Sequence, residues 1–262
     1  MALQLLISAL NKNPAELIAQ MNIQTDAVLV NQCDEDVCRE IDYKQNRVTV
    51  YSKKERGVGL SRNLCLEKAT EEYVLFSDDD IVYDDGYEEK VLGAFEKNDA
   101  ADVLLFNMRV APERKTYWNE KEKSVSRLNC GRYPAYSIAA KRESLKKAGV
   151  TFSLLFGGGA KYSHGEDSLF LTDCLRRGLR LFTSTEVLGR EEAGESTWFH
   201  GFTEKFFFDR GVLFAFLYPK TAGLWAFRYV YLKKDVDSSK IGKQKAWKLI
   251  CDGIREGKKL RK

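Results

Sequence analysis

The chain has 262 residues, 44% of them hydrophobic, with a formal net charge of +4. That is enough apolar material for one large α/β domain with a small extension, and it excludes a globally disordered chain. A charge so near zero leaves no electrostatic footprint for nucleic acid, and no nucleic-acid partner is expected. The charge is uneven: residues 233–262 carry eleven Lys/Arg and four Asp/Glu, a net of +7, so the rest of the chain is −3. A basic end on a mildly acidic body reads either as a solvated helix or as a contact for an anionic surface such as a membrane.

The six cysteines, Cys33, Cys38, Cys65, Cys130, Cys174 and Cys251, show no C-x-x-C spacing, which fits reduced thiols in a cytoplasmic protein. Cys33 and Cys38 with His164 and His200 match no zinc-ligand pattern. "MALQLLISALNKN" lacks a basic n-region and a cleavage-like end, so it reads as a first strand. The apolar stretch 211–232 is broken by Pro219, Lys220 and Arg228 and is not expected to span a bilayer. The chain is therefore expected to be soluble or peripheral.

In chain order, 3–8 reads as a buried strand, followed by a helix capped by Asn13 with Pro14 at its first position. Strands follow at 27–30 and 47–52, then a helix over 60–69, a strand at 73–77, a helix from Asp84 to Asn98 and a strand at 102–107. Residues 118–129 are a polar connector, 135–140 a strand, and 166–177 a helix stopped by Gly178; beyond Glu204 the pattern is mainly helical. Alternating strands and helices with nearly continuous apolar strands predict a mostly parallel sheet flanked by helices. The expected division is a domain over 1–203 and a helical, basic extension over 204–262. Ligands of such sheets sit at the carboxyl ends of the strands.

An aspartate cluster falls at such an end, in "YVLFSDDDIVYDDGY" (Tyr73–Tyr87). In extended chain Asp78 and Asp80 share a side and Asp79 points away. Two converging carboxylates repel unless a cation lies between them, and Mg²⁺ or Mn²⁺ bound by one or two carboxylates plus phosphates suits the pair. The glycine and third acid of an EF-hand loop are missing. Asp84 and Asp85 read as the acidic start of a helix. "RGVGLSRN" (Arg56–Asn63) places two glycines, Arg56 and Arg62 at a helix start, a candidate diphosphate site, although Arg62 replaces the last glycine of a dinucleotide fingerprint. A triple glycine (Gly157–Gly159) leads to Glu166 and Asp167 at another helix start, where a carboxylate on a mobile loop is a candidate general base.

"GLSRN" (Gly59–Asn63), "YVLFSDDD" (Tyr73–Asp80) and "GEDSLFLTDCLRRG" (Gly165–Gly178), in this order, resemble a family 2 glycosyltransferase of the GT-A (Rossmann-like) fold over residues 3–190. The resemblance implies a metal-dependent, inverting hexosyltransferase-type enzyme that uses a nucleoside-diphosphate sugar, most simply a UDP-sugar. By its motifs Asp78 and Asp80 are the D-x-D pair, with Asp80 the better direct ligand of Mn²⁺ or Mg²⁺. Asp78 and Asp79 also border the donor, Arg62 lies near the nucleotide, and Asp167 is the base, flanked by Glu166. His200 is expected as a third metal or phosphate contact, and Trp198 and Tyr162 as candidates to stack on the acceptor. Two departures stand out. Asn31 and Gln32 occupy the place of an acidic V-D-D-G-S, where an amide can still pair with a base edge, and Asp34 is a substitute if the loop shifts. Ser8-Ala9 replaces the usual end of the first strand. The expected role is surface polysaccharide synthesis on a glycan or lipid-linked acceptor, in the cytoplasm at the inner face of the membrane. The competing readings are an inactive nucleotide- or glycan-binding protein of the same fold and a sugar-phosphate nucleotidyltransferase. The latter lacks its glycine-rich, lysine-containing start.

Overall fold

In the computed structural model, which describes residues 1–192, 201–233, 236 and 241–261, apolar strands build one nine-stranded sheet. Its first half is parallel. β1 (Leu3–Leu10) lies between β2 (Asp26–Gln32) and β5 (Tyr73–Asp78), and β4 (Asn46–Lys53) follows β2. Alternation along β1 explains the two layers. Leu5 and Ile7 pack on one face with α1 (Pro14–Gln20) and α3 (Tyr87–Lys97); Leu6 packs on the other with α2 (Val58–Lys68) and α5 (Glu166–Arg176).

The expectation of a mostly parallel sheet holds for these strands and is corrected beyond them. β8 (Ile138–Lys141) inserts antiparallel between β5 and β7 (Val103–Arg109); β9 (Leu181–Glu191) runs parallel to β7, and β6 (Ile81–Tyr83) closes that edge antiparallel. The sheet is thus mixed, with four parallel and four antiparallel pairs. The other edge is β3 (Val37–Tyr43), a hairpin partner of β4 whose exposed Arg39, Glu40 and Asp42 protect it from pairing with other chains.

Asp84 and Asp85 do not start a helix. Asp84 takes two hydrogen bonds from Arg109, Asp85 accepts from Asn22 and Gln24, and α3 begins after Gly86. They tie the β6 end to its neighbours instead of capping.

After a short α4 (Arg142–Ala148), the C-terminal part is α6 (Glu204–Leu217), capped by Thr203, then α7 (Ala222–Phe227) with a wider turn to Leu232, and α8 (Lys243–Leu260). α6 and α8 cross in backbone contact: a Cβ on Gly253 would lie 2.0 Å from the Phe208 carbonyl oxygen. Leu169 of α5 packs with Val212 and Leu213 of α6, so the C-terminal helices share a core with the sheet domain.

Candidate active site

Hydrophobic Val74, Leu75 and Phe76 carry β5 through the core, and the strand surfaces at Asp78, level with Ser8 of β1. The three consecutive aspartates then part company. Asp79 turns back to the end of β1, where it accepts from the Leu10 N–H at 3.0 Å with the Lys12 ammonium 4.0 Å away. Asp78 accepts from Arg62 at 2.7 Å. Asp80 faces Arg114, whose guanidinium lies 4.0 Å from one carboxylate oxygen; the other oxygen, Oδ1, is buried with no hydrogen-bond partner. Asp79 thus anchors the strand, a role that alternation could not supply.

Arg62 is the centre of the arrangement. Its side chain is 4% exposed, on the first turns of α2 and under Phe152. One nitrogen reaches Asp78; the other reaches Asp167 at 2.7 Å and Glu166 at 3.2 Å. Burial opposes its charge, but Asp78, Asp167 and Glu166 outweigh that and keep it protonated. The aspartate strand end, 16 residues from Arg62, and the Glu166–Asp167 helix start, 104 and 105 residues from it, are therefore joined through one guanidinium.

Asp167 sits in the first turn of α5, after Gly165, where φ is +111° and α6 approaches so closely that a Cβ would meet Leu213 at 2.4 Å. Burial and the adjacent Glu166 push the Asp167 carboxyl up from its usual range, and Arg62 only partly offsets this. The loop before it is fixed from α6. Buried Asp209 accepts from the Ser163 N–H and from its hydroxyl, each at 2.9 Å, and from Lys205 at 2.6 Å.

Several other expected site residues have partners within the chain. At the N-terminus of α2, the candidate diphosphate site, the Gly57 N–H donates to Gln32 Oε1 at 2.6 Å and the Val58 N–H to the Gly158 carbonyl at 2.9 Å. The triple glycine is thus packed on that helix end. Asn31 and Gln32 both use their amides on backbone, Asn31 by clasping Lys12 at 2.8 and 3.1 Å. Arg56 binds the Cys33 carbonyl and Asp34 at 2.9 Å each, bracing the turn after β2. Ser8 donates to Ser61 at 2.8 Å and joins β1 to α2. Tyr162 is buried against Phe156 in the α5–α6 core, with no open ring face for an acceptor. Trp198 and His200 lie outside the described residues.

Two residues that the sequence did not single out complete the site. Glu191, at the end of β9, has a side chain only 3% exposed and pairs with Arg114 at 2.6 Å. Burial raises its pKa, against Arg114. Its pairing with Ile81 places it beside Asp80, and only that β6–β9 register could have revealed it. Burial first, then Asp78, Glu191 and Asp79, push Asp80 up to about 7. Six carboxylates (Asp78, Asp79, Asp80, Glu166, Asp167, Glu191) stand against three cations (Lys12, Arg62, Arg114), which leaves three negative charges over if all ionise. Among the described residues no three His, Cys, Asp or Glu side chains form a closed metal cage. The orphaned Asp80 oxygen and the surplus negative charge nevertheless fit a hard divalent cation that takes most of its ligands from phosphates and water.

In fold, the chain is similar to S. aureus TarS 1-349, solved with UDP-GlcNAc: the TM-score is 0.59 at 18% identity, over 82% of this chain and 66% of that one. It is also similar to the mannosyltransferase PcManGT from Pyrobaculum calidifontis, solved with GDP-Man and Mn²⁺, with a TM-score of 0.53 at 15% identity over 98% of this chain and 75% of that one. The chain spans 39% of a longer TarS structure. A search of curated proteins gave no match. These likenesses define the fold class, a GT-A sheet flanked by helices. Within that class, the pattern of Glycosyl transferase family 2 matches residues 8–155, more than half of the sequence, and the chain belongs to that family.

Proposed function

We propose that the protein is an inverting glycosyltransferase that moves a sugar from a nucleoside-diphosphate donor, a UDP-sugar in the simplest reading, to a glycan or lipid-linked acceptor. The observation that carries this is the bridge through Arg62, which sets Asp167 and Glu166 beside Asp78 at the carboxyl end of the sheet, next to the orphaned oxygen of Asp80. Family membership and the nucleotide-sugar complexes of its structural neighbours support the same chemistry.

Asp80, with Asp78 behind it, would hold Mn²⁺ or Mg²⁺. When bound, that cation supplies positive charge for the departing diphosphate. Asp167 takes the proton of the acceptor hydroxyl, and its raised pKa brings it nearer the range where a general base is effective. Attack from the face opposite the diphosphate inverts the anomeric carbon. Arg62 holds Asp167 in place and keeps the carboxylates from repelling one another apart. Residues 1–203 would form the transferase unit and 204–262 a helical buttress that meets an anionic membrane from the cytoplasmic side, in surface polysaccharide synthesis. No helix among the described residues is long and apolar enough to cross a membrane.

The test is release of nucleoside diphosphate from a panel of nucleotide sugars with Mn²⁺, in the wild type, Asp80→Asn and Asp167→Asn. Each substitution is expected to lower turnover by about 100-fold or more. Donor binding without turnover in the wild type would instead assign a binding protein.

A further inference from the structure

The chain from Tyr218 to Lys233 contains Lys220, Arg228 and Lys233 and no acidic residue. Its inner face is well buried: Ala222, Ala226 and Val230, four residues apart, are 3%, 0% and 2% exposed and pack in the core with α6 and α8. The opposite face is not. Leu224, Phe227, Tyr231 and Leu232 are 66%, 49%, 36% and 66% exposed. Four of the eleven large apolar side chains exposed among the described residues thus fall within nine positions. Single exposed apolar residues are ordinary, but a cluster is not. The Phe227 and Tyr231 rings are 5.0 Å apart, and both approach Trp247 of α8, at 6.2 and 6.1 Å. Around them, Lys220, Arg228, Lys233 and Lys243 form no ion pair among the described residues.

We propose that this face of α7 and the turn after it lies in the surface of a bilayer that carries anionic lipids. Leu224, Phe227 and Leu232 enter the boundary between headgroups and acyl chains, Tyr231 and Trp247 sit at headgroup level, and the four cations meet lipid phosphates. Aromatic and aliphatic side chains rimmed by lysine and arginine, on an element too short to span, are the composition of an interfacial anchor. A second copy of the chain is the poorer occupant, because self-pairing would bring Lys220, Arg228, Lys233 and Lys243 of one patch against those of the other, with no acid among residues 218–233 to separate them.

This deepens the membrane part of the reading above and moves the contact. The basic end of α8 has other uses: Lys245 pairs with Glu204, Arg255 with Asp252, and Arg261 donates to the Ala215 carbonyl. Lys258 and Lys259 lie in the last turn of α8, where cations favour the helix dipole. α6, which packs against α7, also holds Ser163 through Asp209, so the anchored helices are those that fix the loop before Asp167.

Vesicle flotation tests the proposal, with phosphatidylcholine alone and with about one third phosphatidylglycerol. The wild type is expected to float with the anionic vesicles, less so with neutral ones or at high salt, and its tryptophan emission to shift to the blue on binding. Leu224→Ser with Phe227→Ser should lower partitioning about tenfold on the anionic vesicles. Lys220→Glu with Arg228→Glu should remove the preference for anionic lipid. Both pairs should keep wild-type melting and wild-type hydrolysis of a soluble nucleotide sugar. Flotation unchanged by the apolar pair, or no flotation of the wild type, would overturn the proposal, as would a concentration-dependent dimer that the apolar pair dissolves. Catalysis fails separately: loss of turnover with flotation intact sinks only the enzymatic reading, and the reverse sinks only this one.

Discussion

Arg62 is a buried cation that serves three carboxylates at once. Its removal strands the partly buried Asp78, Glu166 and Asp167 beside one another. Arg62→Ala should therefore destabilise the fold by about 3–5 kcal/mol in urea titrations. Arg62→Lys keeps the charge but loses the fork that reaches two nitrogens' worth of partners; it should fold, with turnover lowered about 100-fold. Asp80 carries the opposite tension. Its folded pKa of about 7 lies above the value of an unfolded aspartate. The stability this gives is complete below the unfolded value and is lost as pH rises through about 7, because the ionised form is the poorly solvated one. Its side chain is 37% exposed, so water screens part of the effect. Metal-free Asp80→Asn should gain about 1–2 kcal/mol at pH 8, a rise in Tm of roughly 2–6 °C, and nothing at pH 4, in paired thermal melts. The proposed metal role and stability pull this residue in opposite directions.

At the scale of elements, the parallel strands were legible because they are buried on both faces and read as apolar runs: "LQLLIS", "AVLV", "YVLFS". β3, β6 and β9 were not. β3 is a charged edge, β6 is three residues long, and β9 mixes Thr, Ser, Glu and Gly with its apolar positions. The same gap hid Glu191, which enters the site only through the β6–β9 register. The motifs picked out Arg62, Asp78, Asp80 and Asp167, which the structure brings together, since each is fixed by a local strand end or helix start. Which carboxylate meets which cation depends on contacts across more than 100 positions, and no spacing rule carries that. Asn31 and Gln32 show the converse: their type fits a base, but backbone donors and acceptors claim them first. The α6–α8 crossing is likewise invisible to periodicity alone. Gly253→Ala should force the helices apart at Phe208 and cost about 2–4 kcal/mol in chemical denaturation. It should also lower turnover, because α6 carries Asp209.

The molecule as a whole is a sheet with an acidic cluster at its carboxyl end and C-terminal helices packed over the start of α5. Mn²⁺ with a nucleoside diphosphate should raise Tm more than either alone, and Asp80→Asn should abolish the gain, as differential scanning fluorimetry will report. Deletion of residues 233–262 is a poor probe of membrane contact, because it strips Ala246, Ile250 and Ile254 from the core shared with α6 and leaves an aggregating chain.

The hydrogen bonds from Ser163 to Asp209 bear on ancestry and recombination. They join the loop before α5 to α6, and both lie beyond the family-matched residues 8–155. A chimera spliced at residue 203 from two distant relatives would pair a Ser163 loop with a stranger's helix, and its defect should be repaired by restoring that one serine–aspartate couple. The joint between this loop and α6 is where exchange among relatives should be rarest.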